Sequence, residues 1–296
     1  TAEDGKKITL YANWQPNTYT ITTNKQGGTG GTDKFYEVYN TAWYNTVQSV
    51  IKSISVPIKT GYNFLGYYEN MGALGDLIVD SSGTIAVNPD YFTANATIYA
   101  QFEPKEFQVT FDKQGGTGGT DSAVAYYGEW FPYAEAPIRK GYSFQGYYLA
   151  TDDTSEEYYT KYMAATKKYL FEKDVTLYAK WLDEIPPITA ISVNTEEWTN
   201  REEGIKITAS AVDTGSGLDY VELYRDDKLV LTKTHLNGKA ETQLTYTNTK
   251  EGVFRYHIVA YDMEGNRSES YANCKYDITA PKGESVIINN DLTNFS

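Results

Sequence analysis

The sequence predicts a mostly β chain built of modules in series: two tandem α+β repeats followed by an all-β sandwich. Three observations lead there. The motif KQGGTGGTD occurs at residues 25–33 and again at residues 113–121. Strand-forming residues abound, with 28 Tyr, 11 Phe and 5 Trp in 296 residues, and such side chains pack well on a pleated surface. Beyond Pro186-Pro187, short apolar runs recur at about ten-residue spacing with turn residues between them, the texture of a sandwich.

The repeat continues past its glycine-rich motif. PIKTGY at 57–62 matches PIRKGY at 137–142, and YNFLGYY at 62–68 matches YSFQGYY at 142–148. Each copy closes on an alternating strand, ATIYAQF at 96–102 and VTLYAKW at 175–181. A third such ending, ITLYANW, stands at 8–14 with no repeat body before it. It either closes a preceding repeat or is the first strand of a shifted frame, and both readings imply a natural protein that extends beyond Thr1. The expected boundaries are a terminal strand (1–16), a first repeat (17–103), a second repeat (104–183), a sandwich (184–277), and the start of a further domain or a tail (278–296).

Within a copy, Val109 and Phe111 alternate with Thr110 and Asp112, a half-buried strand. The GGTGG run suits a turn that needs positive φ. Gly146, beside Tyr147, marks a bend or a close backbone approach. Val175, Leu177, Ala179 and Trp181 share one face, so Trp181 and its counterparts Phe102 and Trp14 anchor a core or a module junction. The first copy is longer than the second. In its extra stretch Trp43, Val47, Val50, Ile51 and Ile54 recur at helical spacing behind Asn40 or Thr41 as a cap, which predicts a short helix within 39–54.

The glycine-rich turn, the PIRKGYSFQGYY segment and the closing TLYAKW, in that order and twice, resemble the Listeria–Bacteroides repeat, related to the internalin B-repeat, over about residues 17–181. The resemblance implies a compact β-grasp-like module with a mostly antiparallel sheet and a short helix. It also implies an extracellular bacterial protein built as a string of modules. The longer first copy departs from the family's usual spacing.

In the third module the expected strands are 190–193, 205–212, 220–225, 228–235, 240–246, 252–262 and 268–275, with turns at Asp226-Asp227, Asn237-Gly238 and Glu264-Gly265-Asn266. The segments Trp198-Thr199-Asn200, AVDTGSGL at 211–218 and YDMEGN at 261–266 are similar to bacterial immunoglobulin-like domains of surface proteins. The tail YDITAP at 276–281 resembles the join at which another such domain begins.

Composition argues against several functions. A net charge of −13 repels phosphate backbones and anionic lipid, so neither nucleic acid nor a membrane surface is an expected partner. No stretch approaches the ~20 apolar residues that span a bilayer, and residues 1–7 lack the features of a signal peptide. The single cysteine, Cys274, forms no intrachain disulfide and reads as a small buried apolar residue. The two histidines, His235 and His257, form no zinc pattern. The GGTGG run lacks the ending of a phosphate-binding loop. The pairs Asp152-Asp153, Glu156-Glu157 and Glu202-Glu203 read as solvated loop charges. No catalytic residue and no cofactor is assigned, and the chain is expected not to be an enzyme.

Two binding candidates remain. Asp213, Asp219, Asp262, Glu264 and Asn266 place oxygen ligands for calcium in loops of the third module, without the spacing of an EF-hand. Plain Asx turns are the favoured alternative, so no metal is assigned. Adjacent strand residues point to opposite faces, so one ring of each tyrosine doublet is expected at the surface. That makes Tyr67, Tyr68, Trp130, Tyr147 and Tyr148 candidate ligand residues for a glycan or a host or matrix protein. The plainer reading is that tyrosine serves as a strand former. The expected function is a monomeric stalk or display scaffold on the cell surface or secreted, with a part in adhesion. A carbohydrate- or host-protein-binding module and the accessory domains of a secreted hydrolase are the alternatives.

Overall fold

The computed structural model describes residues 5, 7, 9–45, 49–152 and 154–279. Ile8, Val47, Asp153 and the tail from residue 280 lie outside the described residues. Nineteen strands and no helix are present among the described residues. Two compact units result: one runs to Pro137 and includes Gln145–Lys180, and the other comprises Ile138–Phe144 with the residues from Trp181 on.

The first repeat forms a seven-stranded sheet of β1 (Thr18–Asn24), β2 (Lys34–Val38), β3 (Ala42–Tyr44), β4 (Val50–Ile51), β5 (Tyr62–Asn70), β6 (Leu74–Asp80) and β7 (Ala96–Pro104), in the order β4-β3-β2-β1-β7-β5-β6. The second forms a five-stranded sheet of β8 (Glu106–Asp112), β9 (Ser122–Tyr126), β10 (Tyr142–Tyr148), β11 (Glu157–Thr160) and β12 (Val175–Asp183), in the order β11-β10-β12-β8-β9. The two are one topology. In each, the first and last strands lie side by side at the centre and run parallel, with Ile21 opposite Ala96 in one copy and Val109 opposite Val175 in the other.

Alternation decides what each strand buries. Ile21, Ile98 and Ala100 face the first core with Phe35, Tyr67 and Ile78. The second core is built of rings: Phe111 lies 4.9 Å from Tyr147 and 5.6 Å from Tyr159, and Phe131 lies 5.1 Å from Tyr169. The first two are edge-on, and such pairs add about 0.5–1.5 kcal/mol each beyond burial. Two of the buried hydroxyls find carbonyls, Tyr159 donating to Pro132 O at 2.5 Å and Tyr169 to Lys173 O at 2.6 Å.

The longer stretch of the first copy is not the expected helix. It adds β3 and β4 to the free side of β2, with Trp43 opposite Ile51. Asn40 turns the chain at a φ of +52° between β2 and β3. A short run rich in Trp, Tyr, Val and Ile satisfies a helical spacing by chance and pairs as strands, where β-branched and aromatic side chains pack better. The expected strand at 8–14 is also absent. Residues 9–14 are in no strand, and Leu10, Tyr11 and Trp14 are exposed. The matching segments in the two copies are central strands with a neighbour on each side. Among the described residues no strand pairs with residues 9–14 to share their backbone hydrogen bonds.

The bend expected in the third motif is present. Gly66 and Gly146 have φ of +147° and +126°, and a Cβ there would fall 2.6 Å from Val79 O and 2.4 Å from Tyr159 O. The ladder slips register beside each, so two successive residues, the glycine and the tyrosine after it, both face inward. β7 and β8 are separated by Lys105 alone. The Lys105 amide donates to Gly61 O at 2.9 Å and Tyr127 N donates to Lys105 O at 3.1 Å.

The third module has two antiparallel sheets. β13 (Ile188–Val193), β14 (Ile205–Val212) and β17 (Glu241–Asn248) form one. β16 (Lys228–Lys233), β15 (Leu218–Arg225), β18 (Gly252–Asp262) and β19 (Arg267–Tyr276) form the other. Ile205, Ile207 and Ala209 of β14 share one core with Leu223, Tyr256 and Ile258 of the facing sheet. Cys274 is buried in β19, and burial pushes its thiol pKa up. His257 stacks on Tyr224 at 4.8 Å, whereas His235, expected in a strand, follows β16 in a loop at a φ of +58°.

Candidate functional site

The five aromatic candidates separate by burial. Tyr67 and Tyr147 are fully buried, because the slip beside Gly66 and Gly146 turns them into the cores. Neither can stack on a ligand while the module is folded. Tyr68 and Tyr148 are half-buried. Tyr148 donates to Glu157 Oε1 at 3.3 Å, and Lys180 Nζ sits 5.3 Å from its ring centre. Trp130 is 56% exposed. Two rings outside the doublets, Tyr133 and Tyr162, are more exposed still, at 84% and 82%. Neither carries a sequence signal that separates it from the other tyrosines.

Three carboxylates converge elsewhere. Asp183 ends β12, Asp213 follows β14 and Asp262 ends β18. Each is more than nine-tenths buried, and one oxygen from each lies within 4.8 Å of the others. Ionised, two carboxylates at that separation repel by roughly 3 kcal/mol at an effective dielectric of ~20. Backbone amides offset part of this. Gly215 N and Gly217 N donate to Asp213 Oδ1 at 2.8 and 3.1 Å. Glu264 N and Asn266 N donate to Asp262 Oδ1 at 3.0 and 2.7 Å. Ile185 N donates to Asp183 Oδ1 at 3.0 Å and Ser216 N to Asp183 Oδ2 at 2.7 Å. The Asn266 side chain bridges Asp262 Oδ2 at 2.8 Å and Asp183 O at 3.0 Å.

The local sequence explains this placement. Gly215 approaches so closely that a Cβ there would lie on Asp183 Oδ2. A cavity of about 270 Å³ opens beside Asp183, lined also by Thr214, Gly215, Ser216, Glu264, Arg139, Tyr142 and Trp181. Every donor is oxygen, a set that suits a hard cation and offers no nitrogen or sulfur to a softer metal. Of the sequence candidates, Asp213, Asp262, Glu264 and Asn266 come together here. Asp219 does not: it lies in β15, where its carbonyl accepts Leu236 N at 3.0 Å. Sequence reasoning missed Asp183, which stands as the last residue of the expected second repeat and apart from the loops of the third module.

Residues 107–180 match the family model of the Listeria–Bacteroides repeat domain, which spans β8 to β12 almost entire. The chain is similar to two proteins of Evansella cellulosilytica. One, whose name describes a membrane protein, is 27% identical over 227 residues, 74% of this chain and 30% of that protein. The other, named as a Gly-rich membrane protein, is 28% identical over 174 residues, 59% of this chain and 17% of that protein. The chain thus spans less than a third of the length of these relatives. Among the described residues no helix is long and apolar enough to cross a membrane.

Proposed function

We propose that the chain is a non-catalytic, load-bearing stretch of a bacterial cell-surface protein, whose serial modules hold a functional domain away from the envelope. The supporting observation is the parallel pair at the centre of each repeat. The chain enters at the start of β1 and leaves at the end of β7, and these points lie at opposite ends of the same ladder. Tension along the chain therefore loads all the β1–β7 hydrogen bonds in shear at once. Two strands pulled from the same end would instead separate bond by bond. The second copy repeats the arrangement with β8 and β12.

The match at 107–180 and the names of the Evansella relatives support the surface placement. The sandwich supports it as well. Its order, β13-β14-β17 facing β16-β15-β18-β19, favours the immunoglobulin-like reading, a sandwich frequent in cell-surface domains. Protease treatment of intact cells that carry the full-length protein tests the placement. Release of peptides from this region is the expected result, and protection until the cells are lysed would overturn it.

A second reading rests on the exposed rings of Trp130, Tyr133 and Tyr162. Such rings can stack on a sugar or anchor a partner protein. Saturable binding of the chain to glycans, mucin or matrix proteins, lost in Trp130→Ala, would favour adhesion over passive display.

A further inference from the structure

We propose that Asp183, Asp213 and Asp262 form a calcium site, with the Ser216 hydroxyl as an additional ligand. The three carboxylates are buried together, within 4.8 Å of one another. A separate observation points to an occupant. Ser216 Oγ is buried and has no hydrogen-bond partner among the described residues. Its own amide donates to Asp183 Oδ2 at 2.7 Å, and the residue lines the same cavity as Asp183 and Glu264. A buried hydroxyl without a partner is costly, and an ion within reach is one of the few things that accounts for it.

The donor chemistry selects the ion. Calcium takes six to eight oxygens at about 2.3–2.6 Å in irregular geometry, so oxygens up to ~5 Å apart can share it from opposite sides. Magnesium at about 2.0–2.1 Å demands a tighter octahedron, with opposite oxygens only ~4 Å apart. Glu264 on the cavity wall supplies a fourth carboxylate, and water completes the shell. The ligands come from the ends of β12, β14 and β18, so the ion ties together three segments that are remote in sequence. The rival source of positive charge is Arg139, which lines the same cavity with its guanidinium 3.8 Å from the Tyr142 ring centre.

Two readouts on the full 1–296 chain test the site: thermal melting in calcium, magnesium or EGTA at physiological salt, and terbium luminescence sensitised by Trp181, which lines the cavity. Calcium at about a hundred times its Kd should raise the melting temperature of the sandwich by on the order of 10 °C. Magnesium should do less. Terbium should give emission that calcium displaces.

Asp213→Asn and Asp262→Asn keep the oxygen that accepts the amides and remove a charge. They should melt no lower than the parent in EGTA, yet lose both responses. Ser216→Ala, a milder change, should weaken calcium several-fold. No response in the parent chain would overturn the proposal and leave Arg139 as the neutralising charge. An undiminished response in folded Asn variants would also overturn it, as general cation binding to a surface of net charge −13.

Discussion

The ring of Tyr127 fills the space that a Cβ on Gly61 would occupy, with ring carbons 2.2 Å from that position. Gly61 also has a φ of +76°, a conformation that strains any other residue. Gly61→Ala should therefore destabilise the first unit by about 2–3 kcal/mol, from the strained backbone and the displaced ring together. Tyr127→Ala should cost about 1–2 kcal/mol alone. The double variant should cost less than the sum, because deleting the ring makes room for the methyl group. A double-mutant cycle by urea denaturation measures this coupling.

Glu37 and Ala125 hold the same register position in the two copies, opposite Tyr19 and Phe107. Glu37 is fully buried, and both its oxygens accept the Phe92 amide, at 3.1 and 3.4 Å. Burial raises its carboxyl pKa above the ordinary value. The Phe92 amide opposes this rise, and the negative charge of Asp90 adds to it. The folded state thus keeps this proton to a higher pH than the unfolded chain does. Stability from this group is full below the unfolded value, and it falls as pH rises towards the folded one. Melting from pH 4 upward should show that decline in the first module, and Glu37→Gln should flatten it.

Asn248 organises a buried polar network in the sandwich. Its Oδ1 accepts Tyr256 OH at 3.0 Å and Arg225 Nη1 at 3.4 Å, and its Nδ2 donates to Lys250 O at 2.8 Å. Asn248→Ala strands a buried hydroxyl and a guanidinium, and should cost about 2–4 kcal/mol in chemical denaturation. Tyr256→Phe in the same chain should recover some of that loss, since no hydroxyl is then left unpaired.

Trp130 and Tyr147 should respond differently to mutation. Trp130 is exposed, so Trp130→Ala should change stability by no more than about 0.5 kcal/mol. Tyr147 packs on Phe111 in the core, and Tyr147→Ala should cost about 3–5 kcal/mol. Circular dichroism melts of the two variants check this. A loss of binding in a Tyr147 variant would then report unfolding and not a ligand contact.

The repeat, its closing strand and the strands of the sandwich were legible because alternation and turn chemistry are local signals; that the closing strand pairs in parallel with the first was not. β14 and β18 fall on the residues that periodicity indicates, 205–212 and 252–262. Other features depend on neighbours remote in sequence. The apolar spacing of Trp43 and Ile51 looked helical until β2 offered an edge to pair with. Tyr158 and Tyr159 are both buried, although adjacent strand residues alternate, and Phe131 from a loop packs against both rings. Asp183 joins Asp213 and Asp262 only through the folding of three separate strands, and no spacing rule announces it.

The load-bearing account is tested most directly by pulling the first repeat in two geometries within the full chain, using introduced cysteines as handles. Attachment at positions 18 and 104 shears the β1–β7 ladder, because those residues lie at its opposite ends. Attachment at positions 25 and 104 peels the same ladder from one end. The account predicts unfolding forces several-fold higher in the first geometry than in the second. Equal, low forces in both would contradict it, because the parallel pair would then carry no load.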